Sequence, residues 1–166
     1  APRPRPLQPA RDARAHRPGA VIALDTNLLV YAHRSGVPEH RAAKRAIQRA
    51  AAAPGGAGIS APCLAEFWAV VTHPTAAGRP STPAEAAGFL QSLIETARLA
   101  VWLPSPGFER RLTEAARTLS ISGPRIFDLQ IALIAFEHGA KEIWTHDAGF
   151  LTVAGLRRGD PLSTAA

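Results

Sequence analysis

The sequence predicts an α/β fold in three layers, a central, mainly parallel sheet with helices on both faces. Short apolar runs recur along the chain, and stretches with apolar residues at helical spacing separate them. That alternation builds βα units, whose right-handed crossovers cover both faces of a parallel sheet. Acids fall where the first and last of these runs end, at the edge where such sheets gather functional groups.

The first element is Val21-Ile22-Ala23-Leu24, an apolar run that stops at Asp25 and reads as a buried strand. Residues 39–53 form an Ala- and Arg-rich helix ended by Pro54-Gly55-Gly56. Ile59-Ser60 is a short strand ahead of a helix opening at Pro62, where a missing backbone N–H does no harm. Thr82-Pro83-Ala84-Glu85 supplies an N-cap, a proline at the first helical position and a glutamate at the third, which together make a capping box. Phe89, Leu90, Leu93, Ile94 and Ala97 continue that helix. Residues 101–103 form the next strand. Ser105-Pro106 then opens a helix whose Phe108, Leu112, Ala115 and Leu119 share a face, and Gly123-Pro124 ends it. Residues 126–138 are apolar nearly all round, so this helix is expected to be buried on most sides, with Gly139 leading to a strand at 142–145.

One domain, residues 20–166, is expected: 46% hydrophobic and 19% charged residues are enough for a core and carry no general signature of disorder. Residues 1–19 hold five prolines and five arginines and almost nothing that can be buried, so they are expected to form a disordered basic tail. With five arginines against Asp12 the tail carries +4 of the net +6, leaving +2 for the body. Net charge therefore says little about partners. Cys63 is the single cysteine, which excludes an intrachain disulfide, and no Cys/His spacing resembles a zinc site. No apolar run approaches the roughly 18 residues of a membrane span, and the N-terminal residues hold no secretory apolar core. The reducing cytoplasm is the expected location.

Asp25 lies just past the first strand and Asp147 just past the strand holding Ile143 and Trp144. Asp128 is in the first turn of its helix, and Glu66 lies early in its own, beside Cys63, Phe67 and Val70. Parallel strands share one carboxyl edge and the following helices start there, so these four carboxylates are expected to converge. Gathered carboxylates repel one another unless a cation neutralises them. Oxygen donors alone suit a hard ion, Mg²⁺ or Mn²⁺, and such an ion suits phosphodiester cleavage because it activates water and stabilises a leaving oxygen. His146 is expected to point away, since neighbouring side chains on a strand alternate. His33, His40, His73 and His138 show no ligand spacing, and Trp68, Trp102 and Trp144 are expected in the core.

Val21 to Asn27, Leu64-Ala65-Glu66-Phe67, Phe127 to Ala132, and Thr145-His146-Asp147 followed by Phe150 together resemble the PIN-domain toxins called VapC. Each stretch is short; their order and spacing make the combination specific, and the resemblance spans roughly residues 21–161. It implies a PIN-like fold and a metal-dependent endoribonuclease with Asp25, Glu66, Asp128 and Asp147 as the catalytic acids. Asp25 and Asp128 would ligate Mg²⁺ or Mn²⁺ directly, while Asn27 and Thr145 would orient the first aspartate, the water or the phosphate. The resemblance further implies a homodimer, a cognate VapB-type antitoxin in a type II pair, and cleavage of tRNA or other RNA. Arg41, Lys44, Arg45 and Arg49 on helix 39–53 then read either as a solvated face or as a contact for RNA or antitoxin. The long segment before the first strand departs from the family pattern.

Two other classes fit less well. An aspartyl-phosphate phosphatase usually needs Asp-x-Asp and a phosphate-gripping lysine, whereas this chain has Asp25-Thr26-Asn27 and only Lys44 and Lys141. A catalytically silent PIN-like module that binds RNA or protein would be marked by loss of site acids, and all four are present.

Overall fold

The computed structural model describes residues 19–75 and 78–163. Apart from Gly19, the basic tail expected at residues 1–19 lies outside the described residues. In chain order the elements are β1 (Val21–Leu24), α1 (Thr26–His33), α2 (His40–Ala51), β2 (Ala57–Ser60), α3 (Ala61–Thr72), α4 (Pro83–Gln91), β3 (Ala100–Trp102), α5 (Phe108–Thr118), α6 (Arg125–Glu137), β4 (Ala140–Trp144) and β5 (Arg157–Gly159).

The five strands form one sheet in the order β3-β2-β1-β4-β5, and every neighbouring pair is parallel. Six helices flank it among the described residues, which is the α/β/α arrangement the sequence predicts. Central β1 has three of its four apolar residues buried, and its two neighbours, β2 and β4, lie on opposite sides. Strand order therefore reverses at β1, and the crevice outside the carboxyl ends of such strands is where open α/β sheets bind ligands.

Local chemistry explains the supporting elements. In β2 all four residues are buried, and Gly58 is required by its neighbour: a Cβ there would meet the Trp102 ring at 2.4 Å. Helix α4 starts with the expected capping box, the Thr82 hydroxyl accepting from Glu85 N at 3.2 Å and Glu85 Oε2 accepting from Thr82 N at 2.7 Å. It runs on into a π-helical turn, Ser92–Thr96, which buries Leu93 and leaves Ile94 on the surface.

Several expectations are corrected. Helix α1 and edge strand β5 were not expected from the sequence. Helix α5 ends at Thr118, and Leu119 beyond it is 50% exposed. Helix α6, by contrast, is covered on most sides as expected: Leu129, Ile131, Ala132, Ile134 and Ala135 are buried, and of its residues only Arg125, Phe127 and Phe136 are exposed. Trp68 is on the surface; Trp102 is buried, and Trp144 is half-buried with the Arg49 guanidinium 5.6 Å from its ring centre. No helix among the described residues is long and apolar enough to cross a membrane.

Candidate active site

Strand β1 delivers Asp25 to the carboxyl edge of the sheet, and the Asp25 backbone N–H still bonds to the Trp144 carbonyl at 3.0 Å. Asp25 is then the N-cap of α1, its Oδ1 accepting from Thr26 N at 2.7 Å. Oδ2 accepts from the Asn27 amide at 2.8 Å and from the Thr145 hydroxyl at 2.6 Å. Asn27 spends its second amide hydrogen on Thr145 Oγ1, at 2.8 Å, which also accepts from Asp147 N at 3.0 Å. The hydroxyl of Thr145, fully buried at the end of β4, thus joins three separate groups around one carboxylate.

Asp25 is itself buried, and burial pushes its carboxyl from the ordinary 3.8 up to about 6, with the charges of Glu66 and Asp128 adding to the rise. Bonds from Thr145 and Thr26 oppose it without cancelling it. Asp128, in the first turn of α6, is also raised, first by burial and then by the charges of Asp147 and Glu66. Its Oδ2 accepts from Leu151 N at 3.3 Å, and the positive charge of Arg125 acts in the opposite sense. Glu66 extends from α3, where Oε2 accepts from the Thr26 hydroxyl at 2.6 Å. Asp147 is exposed; its Oδ1 accepts from Gly149 N at 2.7 Å, and its carbonyl accepts from Arg158 at 3.2 Å.

All four acids line one pocket of about 480 Å³, together with Thr26, Asn27, Tyr31, His146 and Phe150. No lysine or arginine is among the described residues lining it. Thr145 lies behind the wall and acts through Asp25 and Asn27. Sequence reasoning missed Thr26, which anchors Glu66, and Tyr31, since both belong to the helix that was not expected. It also misplaced His146. Strand β4 ends at Trp144, so alternation along a strand no longer governs position 146, and the imidazole lines the pocket with Nδ1 2.9 Å from Asp160 Oδ2. His33, His40, His73 and His138 each have a hydrogen-bond partner away from the acids.

The donors fit a hard cation on two grounds. Like charges stand around a buried carboxylate that is already driven toward its neutral form, and the pocket supplies carboxylate, amide and hydroxyl oxygens. Among the described residues no group of three His, Cys, Asp or Glu side chains is arranged to hold an ion unaided.

The PIN-domain family model matches residues 22–156. The chain belongs to the PIN-domain family. Its relatives include ribonuclease VapC24 of Mycobacterium tuberculosis, 31% identical over 148 residues, covering 87% of this chain and 99% of that one. Ribonuclease VapC48 of the same organism is 29% identical over 139 residues, covering 84% of this chain and 96% of the other. Among solved structures, VapBC-1 of nontypeable Haemophilus influenzae superposes with a TM-score of 0.59 at 21% identity, covering 86% of this chain and 99% of that one. Mycobacterium tuberculosis VapC20, a sarcin-ricin loop cleaving toxin, gives 0.57 at 19% identity and covers 80% and 98%. These structural likenesses show the same fold. The matched stretch of this PIN domain contains all four acids together with Asn27 and Thr145.

Proposed function

We propose that this PIN domain is a Mg²⁺-dependent endoribonuclease, able to use Mn²⁺, and the toxin of a type II toxin–antitoxin pair. The observation that carries this reading is a buried aspartate, held on both oxygens by Thr26, Asn27 and Thr145, in a pocket with three further acids. Kinship with VapC ribonucleases supports RNA as the polymer cut.

Asp25 and Asp128 are assigned as the direct ligands, and Glu66 and Asp147 complete the acidic pocket. When bound, the ion supplies a Lewis acid that lowers the pKa of water and stabilises charge at the phosphorus. Asn27 and Thr145 hold the Asp25 carboxylate in one orientation, as groups behind a metal ligand do. Thr26 fixes Oε2 of Glu66 and leaves Oε1 to accept a proton from the attacking water, the role we assign it. Phe150, buried on the pocket wall, excludes water from that side.

The same reading takes tRNA as the first substrate to test, a homodimer as the assembly, a cognate VapB-type antitoxin as the inhibitor and the cytoplasm as the place of action. Solved VapBC complexes of the same fold support the antitoxin. The test is incubation of the purified chain with end-labelled total tRNA and with single-stranded DNA of matched length, in Mg²⁺, in Mn²⁺ and in EDTA. Discrete RNA products that vanish in EDTA are expected. Metal binding without turnover on any RNA would instead identify a binding module.

A further inference from the structure

His146 is held by more structure than a surface histidine needs. Asp160 follows β5, and its Oδ1 accepts from Leu162 N at 2.9 Å and Ser163 N at 3.2 Å, which fixes the carboxylate. That carboxylate lies 2.9 and 3.1 Å from Nδ1 of His146. A carboxylate only accepts, so Nδ1 carries the hydrogen and the ring is set in one tautomer and one orientation. The Tyr31 ring meets the imidazole edge-on, with centroids 6.0 Å apart and planes at 77°. Both rings line the acidic pocket.

Exposed ion pairs of this kind contribute little to stability, so fixing the ring matters chiefly for what the ring meets. Arg158 lies outside the pocket lining but reaches back to one of the lining residues. Its Nη1 donates to the Asp147 carbonyl at 3.2 Å, while its remaining guanidinium donors have no partner among the described residues. Aromatic faces beside a cation are the combination that grips single-stranded nucleic acid, the rings stacking on a base and the cation meeting a phosphate.

We infer that Tyr31, His146 and Arg158 form a subsite for the nucleotide next to the scissile phosphodiester in a single-stranded stretch of RNA. His146 stacks on the base, Asp160 keeps it in place, and Arg158 meets the adjoining phosphate. The subsite rests on the ribonuclease reading above, and the experiment separates the two. Binding of fluorescein-labelled single-stranded RNA of about 12 nucleotides, and of the matching duplex, is measured by anisotropy in Ca²⁺, with cleavage followed separately in Mg²⁺. His146→Ala is expected to weaken single-strand binding roughly tenfold, and the loss appears in KM rather than kcat. His146→Trp restores binding to within about threefold, because a stacking face returns. Arg158→Gln is expected to flatten the salt dependence by about one unit of slope. Should His146→Ala not fold, Asp160→Asn and Arg158→Gln carry the same test. If wild type cleaves RNA while these variants bind as wild type does, the subsite is overturned and the ribonuclease reading stands. Equal losses in His146→Ala and His146→Trp also overturn it, and a wild type that neither binds nor cleaves RNA overturns both.

Discussion

Thr145 donates its hydroxyl to Asp25 and accepts from Asn27 and from the backbone of Asp147. Thr145→Val keeps the shape but strips these bonds from a fully buried position, at a cost of about 1–3 kcal/mol that urea unfolding will read. The Thr145 bond also lowers the Asp25 pKa, so the same variant is expected to move that titration upward. In the wild type the folded carboxyl titrates at about 6, above the ordinary 3.8, so charging it opposes folding. Metal-free stability should therefore fall by about 3 kcal/mol as pH rises through this window and level off above it. Protons and metal compete for the same oxygens, which makes metal affinity run the other way. Mn²⁺ binding followed by calorimetry should weaken about tenfold per pH unit below 6 and be nearly flat above 7. An affinity that does not change between pH 5 and pH 8 would remove Asp25 from the ligand set.

At the scale of elements, β2 and β3 depend on one close approach. Gly58→Ala would drive a methyl into the buried Trp102 ring and is expected to cost about 1–3 kcal/mol in denaturant unfolding. Thr82→Ala removes half of the α4 capping box and should cost about 1 kcal/mol. Elements with strong local signals were legible in the sequence: the capping box, the apolar run of β1, and the proline and glycine stops. Those without such signals were not. Thr26–His33 is apolar on several sides, and its N-cap, Asp25, was read only as a strand-end acid. Arg157–Gly159 is a three-residue polar strand at the sheet edge, held by pairing with β4, and its sequence has no β pattern. Missing α1 hid Thr26 and Tyr31, and placing the β4 end one residue late turned His146 away from the pocket.

Over the whole molecule, topology does what composition cannot. Net charge gave no substrate, but a sheet whose strand order reverses at β1 brings together acids separated by up to 122 positions, from Asp25 to Asp147. The four acids were legible because strand ends and helix starts are readable from sequence; their differing environments were not, since burial is a property of the packed chain. Asp25 is deeply enclosed, whereas Glu66 and Asp147 are exposed. The central claim is that these acids form a hydrolytic metal site, and cleavage rate at one mapped RNA position tests it. Wild type, Asp25→Asn and Asp128→Asn are compared under single-turnover conditions in Mg²⁺, with folding of each verified by thermal melting. A rate at least about a hundredfold lower in both variants is expected. Cleavage at the wild-type rate in either folded variant would contradict the account.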